Sequence, residues 1–156
     1  MALLEIRKDE EAILRKTSKE VKVFDERLKT LAEDMIETMH EAQGVGLAAV
    51  QVGRLRRLIT VDLYDEMGPK VFVNPELYDM EGQILDYEAC LSVTDTQAPV
   101  FRPEKLRLKA QDLNGAQIEL EAEGLFARVL CHEVDHLNGI LFTDKAEDES
   151  LMEEDK

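Results

Sequence analysis

The sequence predicts an α+β fold in which mostly antiparallel sheets pack around a buried C-terminal helix that carries HExxH. Three observations lead there. Asn114-Gly115 separates two runs in which apolar and polar residues alternate, the pattern of a β-hairpin. Leu28, Leu31, Met35, Met39 and Ala42 recur at the spacing of one helix face. After Gly124 the pattern turns helical again, with apolar residues on two adjacent stripes.

Taken in order, Asp25 is placed to cap the first helix and Gly44 to end it. Leu55–Leu63 (LRRLITVDL) and Val71–Asn74 (VFVN) carry β-branched and aromatic residues bounded by turn formers, so both are expected as strands. Leu106, Leu108 and Ala110 alternate with polar residues on one arm of the hairpin, and Ile118, Leu120 and Ala122 do so on the other. Leu125, Val129, His132 and His136 then share one stripe of the second helix, beside Phe126, Leu130, Glu133 and Leu137, with Gly139 at its C′ position. A helix apolar on two sides belongs against a sheet. The closing EDESLMEEDK is acidic and is expected as a frayed or solvated tail. The expected division is therefore one domain over 1–146 and an acidic C-terminal tail over 147–156.

The 156 residues suffice for one core, and the 44% hydrophobic and 34% charged content is that of a globular chain. A net charge of −15, with only Arg54, Arg56 and Arg57 as a basic group, argues against direct nucleic-acid binding. The opening MALLEIRKDEE lacks the apolar core of a signal peptide, and no stretch has the length of a membrane span, so a cytoplasmic protein is expected. In a reducing compartment two cysteines are better read as a ligand or nucleophile than as a disulfide.

His132-Glu133-Val134-Asp135-His136 is HExxH, with two imidazoles one turn apart on a helix, able to converge on one metal ion. A catalytic ion needs a third protein ligand and an open position. In the longer HExxHxxGxxH pattern that ligand would fall at Phe142. His40 is expected to be exposed, and Cys131 points about 100° away from His132 around the helix. Cys90 or a carboxylate remains. Cys90 lies in Glu88-Ala89-Cys90-Leu91-Ser92 between extended segments, where a thiolate could complete a Cys-His-His set.

Gly44-Val45-Gly46-Leu47-Ala48-Ala49 imitates a dinucleotide fingerprint, but a helix precedes it and no helical stripe follows. Glycines there instead permit close backbone approach by an extended substrate, which makes Val45 and Gly46 candidate binding residues. Leu125 and Val129 share the stripe of the histidines and could line a substrate pocket, with ordinary core packing as the equal alternative. Arg128, four residues before His132, is expected to be solvated, with a substrate carbonyl as its alternative target. Arg102, Glu88 and Asp135 are candidates for a salt bridge behind the ligands.

The segments GVGLAAVQ, EACLS and HEVDHLNG together resemble the three motifs of the peptide deformylases, in their order and approximate spacing. The resemblance covers nearly the whole chain, including the opening IRKDEEAILRKTSKEV. It implies that 1–146 is a single catalytic domain that removes the N-formyl group from N-formylmethionyl peptides of newly made proteins, releasing formate. It also implies Cys90, His132 and His136 as ligands of one divalent ion, Fe2+ or Zn2+, for which Ni2+ or Co2+ could substitute. Glu133 would move the proton, while the Gln51 side chain and the Leu91 backbone N–H would stabilise the developing oxyanion. The partner would be a formylmethionyl peptide or nascent chain, and the protein a monomer. This chain departs from the pattern at Ala89, usually glycine, at Cys131, commonly glutamine, and after Ser92, where VTDTQAP lacks an expected proline. A zinc endopeptidase and a formyl-peptide-binding module impaired by Ala89 are the alternative readings.

Overall fold

The computed structural model describes residues 2–154. Helix α1 spans Glu26–Glu41, and the Asp25 side chain accepts the Leu28 N–H as expected of an N-cap. Its end differs from expectation. Gln43, not Gly44, takes the left-handed conformation (φ 59°), and the Gly44 N–H closes back on the Met39 carbonyl.

Strands β1 (Gly46–Ala48), β2 (Leu58–Val61), β3 (Lys70–Glu81), β6 (Lys105–Gln111) and β7 (Gln117–Glu123) form one antiparallel sheet in the order β1-β2-β3-β6-β7. Strands β4 (Ile84–Cys90) and β5 (Val93–Arg102) pair as a separate hairpin. Helix α2 (Gly124–Leu137) carries HExxH, and the short α3 (Ser150–Glu154) follows it.

Alternation along the strands divides the core between the two helices. Leu58 and Val73 face α1 with Leu28, Met35 and Met39, whereas Ile59, Val61 and Phe72 face α2 with Ala127, Leu130 and Leu137. The five-stranded sheet is thus a layer between α1 and α2. Both helices are held by burial on the faces their sequences marked.

Two strands differ in length from expectation. β2 is shorter than Leu55–Leu63, while β3 runs through Asn74-Pro75 to Glu81. The strand expected to end at Asn74 continues past it, and Asn74 (φ 51°) sits in an irregularity of the ladder. Its side chain bonds both backbone groups of Val21 and the Gln111 side chain. The β6–β7 hairpin forms in the expected place, but its connection spans residues 112–116 rather than Asn-Gly alone, gathered by Asp112, whose carboxylate accepts the Asn114 and Ala116 N–H groups. At the C-terminus Ser150–Glu154 closes into α3 with Leu151 and Met152 half-buried, while residues 155–156 of the expected tail lie outside the described residues.

Candidate metal centre

Helix α2 and hairpin β4–β5 meet along the sequence 88–92 and 128–136. The ligand atoms of Cys90, His132 and His136 lie within 4.8 Å of one another, and Cys90 Sγ is 3.2 Å from His136 Nε2. No carboxylate joins this group among the described residues. Of the two alternatives left by the sequence, the thiol is the one brought to the histidines. Cys131 is buried on another side of α2, where burial pushes its thiol up to about 11.

A buried ionic network lies behind the three atoms. His132 Nδ1 donates to Glu88 Oε1 (2.8 Å), which leaves Nε2 for the centre. Glu88 also accepts Arg102 Nε and Nη2 (2.8 and 2.9 Å), and Arg102 Nη1 reaches Asp135 (2.7 Å). All three expected salt-bridge candidates therefore take part. Burial alone would raise Glu88, but these donors outweigh it and hold the carboxylate at about 2. Burial beside His132 pushes His136 down to about 3, whereas burial would also lower His132 but its hydrogen bonds to Cys90 and Glu88 outweigh that and push it up to about 10.

Arg128 overturns the expectation of a solvated side chain. It is buried, and its Nη1 donates to Glu88 (2.8 Å), Val100 O (2.9 Å) and Asp86 O (3.3 Å), while Nη2 donates to Ile84 O (2.9 Å). It fastens α2 to both strands of the hairpin and is not free for substrate. A charged residue inside a two-sided apolar helix was the signal available in the sequence.

In front of the ligands lies a cavity of about 350 Å³ lined by Val45, Gly46, Ala89, Leu91, Leu125 and Val129, among others. Val129 is buried and Leu125 is 59% exposed at the mouth, so the same helix stripe supplies a wall and a rim. Strand β1 is an edge of the main sheet, and Val45 precedes it with its carbonyl bonded to the Asp62 N–H. Glu133 is buried in the cavity, burial pushes it up to about 7, and its Oε1 has no hydrogen-bond partner. Gln51, on a single turn of 3-10 helix (Ala49–Val52), accepts the Ala48 N–H through Oε1. Its Nε2 donates to Ser92 Oγ (3.0 Å) and lies 3.6 Å from Cys90 Sγ. His40 remains outside this site, half-exposed and paired with Asp62 at 2.7 Å.

A thiol and two helical imidazoles with a buried glutamate between them suit a soft or borderline divalent ion, and the residues present fit one. This fold and this site define a metallohydrolase. A family model for polypeptide deformylase matches residues 3–151. A peptide deformylase of Dictyoglomus turgidum is 51% identical over 99% of both chains, and one of Caldicellulosiruptor bescii is 53% identical over 93% of this chain and 86% of its own. The crystal structure of a peptide deformylase from Legionella pneumophila superposes with a TM-score of 0.90 at 42% identity, covering 97% of this chain and 90% of that one. The chain belongs to the polypeptide deformylase family. Its members are metal-dependent hydrolases, and the activity is removal of the N-formyl group from nascent peptides.

Proposed function

We propose that Cys90, His132 and His136 hold one Fe2+ or Zn2+ ion, with Glu133 as the proton-transfer group and Gln51 and the Leu91 N–H as oxyanion donors. The observation that carries this reading is the buried, unpartnered Glu133 Oε1, one residue from His132 in the same cavity as Cys90 and Gln51. When bound, the ion supplies Lewis acidity that polarises the formyl carbonyl and acidifies water. Glu133 Oε1 accepts the proton as water adds to the formyl carbon. It then returns that proton to the amine nitrogen as the C–N bond breaks, leaving formate and a free amino terminus. The Gln51 Nε2 proton that faces Cys90 is directed where negative charge develops, and Ser92 Oγ holds the other.

Gly46 on the edge strand β1 and Val45 just before it receive the peptide backbone, and Leu125 with Val129 receives the methionine side chain. Residues 1–146 act as one catalytic domain, with 147–156 as an acidic extension. The protein works as a cytoplasmic monomer, and its net charge of −15 supports the absence of direct nucleic-acid contact. Among the described residues no helix is long and apolar enough to cross a membrane. Protein purified anaerobically, analysed for metal and assayed for formate release from N-formylmethionyl peptide tests the whole reading. Formate release should vanish on chelation and return with Fe2+ or Zn2+, or with Ni2+ or Co2+ in their place. Release of formate by metal-free protein would overturn it.

A further inference from the structure

The hairpin end that carries Cys90 and Leu91 is poorly defined by its own ladder. Ala89 pairs with Gln97, but the next pair is Cys90 with Val93, so Thr94, Asp95 and Thr96 bulge from β5 and Asp95 adopts φ 54°. A bulge leaves backbone groups unpaired and lets the strand end bend. Something outside the hairpin must hold it.

The N-terminal arm does so. Asp9 N–H donates to Ser92 O (2.6 Å), and the Asp9 carboxylate accepts both the Thr94 N–H and the Thr94 hydroxyl (3.0 Å each). Two residues earlier the Arg7 N–H donates to Gln51 O (2.6 Å). One short stretch of backbone is therefore bonded at one end to the residue bearing the side-chain oxyanion donor. At the other end it is bonded to the residue that follows the backbone donor, Leu91. Asp9 takes a left-handed φ of 56°, a conformation uncommon outside glycine, which the surrounding bonds sustain.

We infer that Asp9 is a positioning residue for deformylation: through Ser92 and Thr94 it sets the spacing between the Gln51 amide and the Leu91 N–H. The inference rests on the oxyanion reading of those two donors. It does not touch substrate or the ligand atoms. Preorganised donors act by their placement relative to the transition state, so loosening them lowers kcat while ground-state binding is kept.

The test uses the full chain loaded with Ni2+, assayed on N-formylmethionyl peptide. Asp9→Ala should lower kcat about tenfold, or 1.4 kcal/mol, with KM and metal content unchanged. Asp9→Asn, which keeps an acceptor for Thr94, should recover much of the loss. Amide hydrogen exchange at Ser92 and Thr94, whose N–H groups are bonded to Cys90 Sγ and the Asp9 carboxylate, should quicken in Asp9→Ala and not in Asp9→Asn. In a double-mutant cycle the Asp9→Ala and Gln51→Ala effects should be strongly non-additive, because both act on one oxyanion. A raised KM with kcat intact, loss of metal, multiplicative rates, or unchanged exchange at Ser92 would each overturn the positioning role. Gln51→Ala with undiminished kcat would instead overturn the oxyanion reading itself, and exchange at Ser92 would still report separately whether Asp9 holds the turn.

Discussion

Gly46 and Glu133 touch across the cavity: a Cβ built on Gly46 would stand 2.5 Å from Glu133 Oε2 and 2.9 Å from Val129 Cγ1. The edge strand that lines the cavity and the glutamate of HExxH therefore pack at a distance that only glycine allows. Gly46→Ala should push the carboxylate aside at a cost of about 1–3 kcal/mol, which is roughly ten- to hundredfold in rate. Metal content should stay at the native level. Steady-state deformylation with metal analysis on the same sample checks both, and a native rate would show that Glu133 is free to move.

In the proposed mechanism Glu133→Ala removes the proton acceptor and no ligand. Deformylation should fall at least ~100-fold with near-full metal content. Metal loss in this variant would make Glu133 a ligand or a structural support.

The two cysteines should part company. Cys90→Ala should lose metal and activity together, whereas Cys131→Ala should retain both, since its buried thiol is pushed up to about 11 and faces away from the centre. In the metal-free protein a thiol reagent should modify Cys90 first. The reverse order would reassign the third ligand.

Arg128→Met should destabilise the protein by about 3 kcal/mol, because it removes one charged donor from buried Glu88 and leaves carbonyls on β4 and β5 unanswered. Urea unfolding of the metal-free chain measures this. Arg128→Lys should recover only part, since one ammonium cannot span both strands as the guanidinium does. An unchanged urea midpoint for the methionine variant would remove Arg128 from the framework of the site.

Gly139 ends α2 at φ 74°, and a Cβ there would overlap the carbonyl of Arg15. Gly139→Ala should therefore lower the thermal midpoint through backbone strain and collision with the N-terminal segment. Because the helix end bearing His136 shifts with it, metal affinity should weaken too. A calorimetric trace matching the native protein would contradict this.

Elements whose signal is local were legible in the sequence. The stripes of α1 and α2, the alternation of β6 and β7, and Gly139 as a helix stop each depend on residues within a turn or two of one another. Where distant atoms intervene the reading failed. The strand was expected to stop at Asn74, whereas β3 runs on to Glu81, with the Asn74 side chain bonded to Val21, 53 residues away, and to Gln111. Arg128 reads as solvated because its acceptors lie 28 to 44 residues earlier in the chain. The strap of Asp9 on Thr94, 85 residues apart, left no pattern at all.

By itself the sequence determined the chemistry on offer: HExxH places two imidazoles and a carboxylate on one helix because helical geometry alone brings such residues together. The residues alone favoured Cys90 as third donor without excluding a carboxylate, and the family resemblance named it. Cys90 is 46 residues from His136, so its proximity is a matter of tertiary structure. What brings the thiol to 3.2 Å is the closure of β4–β5 onto α2 through Arg128, Arg102 and Glu88. Buried charges so far apart in the chain specify one arrangement because leaving any of them unpaired is costly, and that cost exists only once the fold has excluded water.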